Sequence, residues 1–119
     1  KVLAEAFALR ADAHYGAENW KGAVADYSRC IELDPRHAGA YAYRGVARKA
    51  ASGDYDGLIA DAEMAAKLDP EYDDMLDDAH STVAWRRAMQ GFLILGGVVL
   101  VLGALPLIRN VGRLIKAGV

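Results

Sequence analysis

The chain has 119 residues, 54% of them apolar and 25% charged, with a formal net charge of −2. That apolar share lies above the ~45–50% usual for soluble domains and excludes intrinsic disorder, while the length allows one folded unit. A single cysteine, Cys30, excludes an internal disulfide framework and a multi-cysteine metal site, and the absence of a basic patch excludes nucleic acid as a partner.

Charge and apolar character are unevenly placed. Residues 1–90 hold 11 basic and 16 acidic residues, a balance of −5, whereas residues 91–119 hold Arg109, Arg113 and Lys116 and no acid. An acidic head is therefore joined through an apolar stretch to a basic tail. The opening Lys1, in place of a methionine, is read as the start of a processed or trimmed product.

The first helix is expected over residues 3–15, with Leu3, Ala6, Phe7, Ala11 and His14 on one face. The segment GAEN at 16–19 breaks it, and Asn19 is placed to cap a second helix over 20–33. The apolar stripe of that helix is Trp20, Ala23, Val24, Tyr27 and Ile31. Asp34-Pro35 ends it, because proline cannot donate to the helix ladder and drives its predecessor out of helical geometry. The pattern then recurs. A third helix is expected over 40–51, a turn at Ser52-Gly53-Asp54, and a fourth helix over 55–68 that stops at Asp69-Pro70.

These two pairs align as a repeat. Trp20, Asp26 and Leu33-Asp34-Pro35 fall on Tyr55, Asp61 and Leu68-Asp69-Pro70 at an offset of 35, and FALRA at 7–11 falls on YAYRG at 41–45 at an offset of 34. Over residues 4–72 the chain resembles the tetratricopeptide repeat (TPR) family in its bacterial idiom, a helix–turn–helix repeat of about 34 residues. The resemblance rests on Phe7, Ala11, Ala23, Tyr27 and Pro35 in the first unit and on Tyr41, Gly45, Leu58, Ala62 and Pro70 in the second. Leu58 and Ala62 depart from the family's alanine and aromatic, which implies looser packing between those helices. The fold expected is all-α, with two TPR units over 1–72, a capping helix over 73–90, a transmembrane helix over 91–108 and a basic tail over 109–119.

A two-unit stack needs closure, and the cap is assigned to the helix starting near Tyr72, with Leu76, Ala79 and Val83 on one face and Asp73-Asp74 and Asp77-Asp78 in its solvated first turns. The stretch 91–108, GFLILGGVVLVLGALPLI, carries no charge, and as a helix it would span ~27 Å, close to a ~30 Å hydrocarbon core. Trp85, Arg86 and Arg87 before it and Arg109 after it are suited to the two interfaces. A buried helix of a soluble domain is the weaker reading, because so small a repeat has no interior to enclose it. Gly96, Leu100, Gly103 and Leu107 form either a close-packing face toward another membrane helix or the ordinary glycine content of such helices. With no proline or glycine between Glu71 and Gln90, one continuous helix is expected from about Tyr72 to about Leu105. Basic residues on both flanks leave the sidedness open, with a slight lean to a cytoplasmic tail.

No catalytic, cofactor or metal constellation emerges. His14, His37 and His80 lack ligand spacing, Cys30 lies on a packed face, and the glycines of 96–103 lack the lysine of a phosphate loop. TPR proteins bind peptides or helices in the groove lined by the first helix of each unit. The resemblance puts Glu5, Ala8, Asp12 and Tyr15, then Ala42, Val46 and Lys49, on that face. Ala8 and Asp12 stand where the chaperone-binding members carry groups that clamp a terminal carboxylate, so that grip is not expected. The function expected is a membrane-anchored protein-interaction scaffold, an accessory or assembly subunit of an integral membrane complex, with other proteins and the lipid bilayer as partners. The bacterial inner membrane is favoured. The alternative is a tail-anchored receptor or adaptor of the mitochondrial outer membrane.

Overall fold

The structure is a computed structural model, and it describes residues 1–94. Among these residues the fold is all-α, with five helices and no strand. The helices are α1 (Val2–Gly16), α2 (Trp20–Leu33), α3 (Ala38–Ser52), α4 (Tyr55–Leu68) and α5 (Asp73–Ile94), with a 3₁₀ turn at Pro70–Tyr72 before α5. The chain divides into two units, Lys1–Val83 and Ala84–Val119.

Local chemistry sets the helix ends. Asn19 and Asp54 each turn a side-chain oxygen back to accept from the backbone N–H three residues on, at 3.2 Å to Gly22 and 2.8 Å to Gly57. His37 does the same for α3, its Nδ1 accepting from the Ala40 N–H at 3.0 Å. Each bond satisfies an orphan donor of a first helical turn. Gly53 ends α3 in the left-handed region at φ 68°, where a Cβ would crowd the backbone. Asp34 and Asp69, each followed by proline, end α2 and α4 in extended geometry.

Within the first unit, α1 packs on α2 and α3 on α4 as two successive hairpins, and α2 packs on α3. The interior is built largely from alanine. Ala4, Ala8 and Ala11 of α1 meet Ala23, Tyr27 and Cys30 of α2 and Ala40 and Ala47 of α3. Leu58 and Ala62 of α4 form a second cluster with Ala79 of α5, flanked by Val46, Met75 and Leu76, and Val83 is buried as well.

Two sequence expectations change. The buried face of α1 is Ala4, Ala8 and Ala11; of the expected stripe only Ala11 is buried, and Leu3, Ala6 and Phe7 border a surface recess with Arg10. Apolar residues lie on all sides of α1, so periodicity did not select a face; the small residues face inward where helices approach closely. The packing of α3 on α4 is also not loose. At Gly45 a Cβ would stand 3.1 Å from Asp61 Cβ and 3.2 Å from the Leu58 carbonyl oxygen, so the absence of a side chain lets the helices close up. The last helix opens at Asp73, at the expected start of the capping helix, after the 3₁₀ turn at Pro70–Tyr72.

The helix continues through Gly91 to Ile94. No helix among the described residues is long and apolar enough to cross a membrane. Of the stretch 91–108 only 91–94 is described; Gly96, Leu100, Gly103, Leu107 and the tail 109–119 lie outside the described residues.

Candidate functional site

Two buried carboxylates organise the hairpins. Arg10 donates to Asp26 in a fork, Nε to Oδ2 at 2.6 Å and Nη2 to Oδ1 at 2.8 Å. Arg44 repeats the fork on Asp61, at 2.9 and 2.7 Å. These are equivalent positions of the sequence repeat. The bidentate geometry is the strong form of the pair, and it satisfies a carboxylate that has left water. The hydrogen bonds from Arg10 hold the Asp26 carboxyl below the usual carboxylate range and raise the Arg10 guanidinium. The surroundings differ. Arg10 is 64% exposed, whereas Arg44 is 15% exposed and also reaches Ser28 Oγ at 3.3 Å, tying the second hairpin to α2. Both carboxylates are used structurally, and no buried polar side-chain atom among the described residues lacks a partner.

A recess on the expected groove lies at the end of α1. Asp12 and Tyr15 of α1, Tyr27 of α2 and Tyr43 of α3 line a recess of about 240 Å3. The Tyr27 hydroxyl donates to Asp12 Oδ1 at 2.6 Å. The Tyr15 ring meets Tyr43 edge-on with centroids 5.5 Å apart and Trp20 edge-on at 5.2 Å, and Tyr27 lies nearly parallel to Tyr43 at 6.2 Å. Burial pushes the Tyr15 hydroxyl above its ordinary value, and burial with the adjoining Asp12 carboxylate pushes that of Tyr27 far above it. Both phenols are neutral at physiological pH, so the formal charge of the recess is the carboxylate of Asp12.

The other groove residues separate into two groups. Ala8 and Ala42 are buried in the helix packing and offer no surface to a ligand. Val46 and Lys49 line a distinct recess with Leu58, Met75, Asp78, Ala79 and Thr82, of about 160 Å3. Glu5 is exposed on α1, 3.5 Å from His37 Nε2. The sequence reading missed Tyr43 and the recess role of Tyr27. Tyr41 and Tyr43 are two residues apart, ~200° around a helix, so they cannot share a buried face. Tyr41 is buried and Tyr43 is 45% exposed. An aromatic off the apolar stripe was the available signal.

The remaining chemistry-bearing residues have structural surroundings. Burial raises the Cys30 thiol, which disfavours the nucleophilic thiolate. His14 Nδ1 lies 3.0 Å from Asn19 Nδ2, and its Nε2 lies 3.6 Å from Asp26. His37 caps α3, and His80 stands 4.0 Å from Glu63. Among the described residues no group of three or more histidine, cysteine or acidic side chains is arranged to hold a metal ion. Comparison with known protein families and with curated proteins gave no match to this chain.

Proposed function

We propose that the chain is a TPR-type protein-interaction scaffold whose head binds a partner along α1, and that residues 91–108 anchor it in a membrane as one span. In this reading it is an accessory or assembly subunit of an integral membrane complex, and the bacterial inner membrane is its site. The observation that carries the binding part is the recess of Asp12, Tyr15, Tyr27 and Tyr43, which opens on the first helix of the leading hairpin. Two hairpins with the same Arg–Asp fork, at positions matched by the sequence repeat, support the repeat assignment. The anchor rests on the sequence: eighteen residues without charge, between Arg86-Arg87 and Arg109. Binding is favoured over catalysis because the chemistry-bearing side chains are committed elsewhere, Asp26 and Asp61 to arginines and Cys30 to the interior.

The test is fractionation followed by purification. The full chain should stay with membranes through carbonate extraction, and deletion of 91–119 should release it. A deleted chain that remained in the membrane pellet would count against the anchor. Detergent purification should bring down a membrane protein in fixed ratio to the chain; purification of the chain alone would count against the scaffold.

A further inference from the structure

We propose that the recess of Asp12, Tyr15, Tyr27 and Tyr43 takes the guanidinium of an arginine from the partner protein. The inference rests on the scaffold reading for the origin of that arginine and goes beyond it in naming the side chain recognised. Four observations lead to it.

First, Asp12 is an exposed carboxylate with no cationic partner among the described residues, whereas Asp26 and Asp61 are both paired with arginine. Second, it is held in place. The Tyr27 hydroxyl fixes Oδ1 at 2.6 Å, and Tyr27 is itself only 1% exposed, so the carboxylate is oriented by the core while Asp12 remains an exposed residue. Third, the rest of the recess lining is aromatic. Tyr15 and Tyr43 meet edge to face, and Tyr43 keeps nearly half its surface in solvent. A cation within ~6 Å of such a ring is attracted by its quadrupole. Fourth, the sign of the surroundings agrees. Residues 1–90 carry a balance of −5, and Glu5 lies on α1 seven residues before Asp12, on the same side and ~10.5 Å away along the axis.

Arginine fits this combination better than lysine. Its plane can lie against the exposed Tyr43 ring while its edge donates to Asp12, and it is more weakly hydrated, so it leaves water more readily. The chain contains its own precedent: Arg44 donates to Asp61 while its guanidinium carbon sits 5.6 Å from the Tyr41 ring centroid. The recess offers the same pair of contacts, a carboxylate and a tyrosine, with the arginine left to be supplied from outside.

The experiment uses the full chain in detergent with isotope-labelled tyrosine, titrated with N-acetyl-arginine amide and followed by NMR. Saturable shifts of the Tyr15 and Tyr43 ring signals are expected. Asp12→Asn should weaken the binding about tenfold, as for loss of a charge-assisted hydrogen bond, without unfolding the head, because its amide oxygen still accepts from Tyr27. Tyr43→Ala removes an exposed ring and should weaken binding while the other tyrosine signals stay dispersed. The citrulline amide, the same shape without the charge, should not bind, and the lysine amide should bind more weakly than arginine. No saturable shift, or equal shifts with citrulline or lysine, would overturn the proposal. Failure here with a membrane protein still co-purifying would remove the arginine recess and leave the scaffold. Arginine binding with no co-purifying protein would support the recess and remove the scaffold.

Discussion

Tyr27 stands at the junction of stability and function. Its ring belongs to the alanine-lined interior, and its hydroxyl leaves that interior to orient Asp12. Tyr27→Ala should cost about 3–5 kcal/mol, the range for large aromatic truncations in cores, read as a lowered denaturant midpoint. Tyr27→Phe keeps the packing and should cost about 1 kcal/mol, the worth of an ordinary hydrogen bond. A midpoint unmoved by the alanine variant would show that the α1–α2 packing is not as described. The sequence repeat marked Tyr27 as a core aromatic because it sits on an apolar stripe. It did not reveal the bond to Asp12, since that contact joins residues fifteen apart whose pairing depends on how two helices are aligned. Asp26 makes a second residue-scale prediction. Its pKa is depressed in the folded state, so its contribution to stability is fully present above about pH 4 and is lost as the pH falls through the depressed value. Acid titration of the Asp26→Asn variant should therefore show a shallower loss of stability below about pH 4 than the parent; parallel curves would contradict the assigned pairing.

The elements were legible to different degrees. The bounds of α2 and α4 follow from capping residues and from Asp-Pro stops, local signals that a sequence displays directly. The inward face of α1 follows from interhelical distance, which no local pattern encodes when apolar residues surround the helix. The two Arg–Asp forks fall between these cases. Their residues occur at matched positions in the repeat, so the recurrence was visible, but that recurrence alone does not distinguish a structural pair from a binding charge. The two pairs differ in how far the arginine is enclosed. Asp61 is enclosed and Arg44 largely so, and Arg44→Met removes the bidentate fork and leaves Asp61 the single contact from Arg48 at 3.3 Å. A cost of about 2–3 kcal/mol is expected, below that of a buried charge left with no partner. Arg10→Met should cost clearly less, because Arg10 is mostly in solvent. Chemical denaturation of the two variants side by side checks the order, and equal losses would mean that the two forks are not differently enclosed.

For the whole molecule, the proposal joins a head that recognises a basic side chain to an anchor that keeps it at a membrane. Asp12 and Tyr15 line the recess, whereas Ala8 and Ala42 are consumed by packing between successive hairpins. A repeat that buries its interior with alanine brings its helices close, so the middle of the expected groove closes and its polar end remains open. In the proposed function the partner docks at that end while the chain is in its membrane. The most direct test of that docking is site-specific photo-cross-linking in native membranes, with the photoreactive residue placed at Tyr43 in one preparation and at the exposed Glu63 of α4 in another. One discrete cross-linked membrane protein is expected from position 43, lost when Asp12→Asn is combined with it, and none from position 63. The same adduct from both positions, or no adduct from position 43, would contradict it.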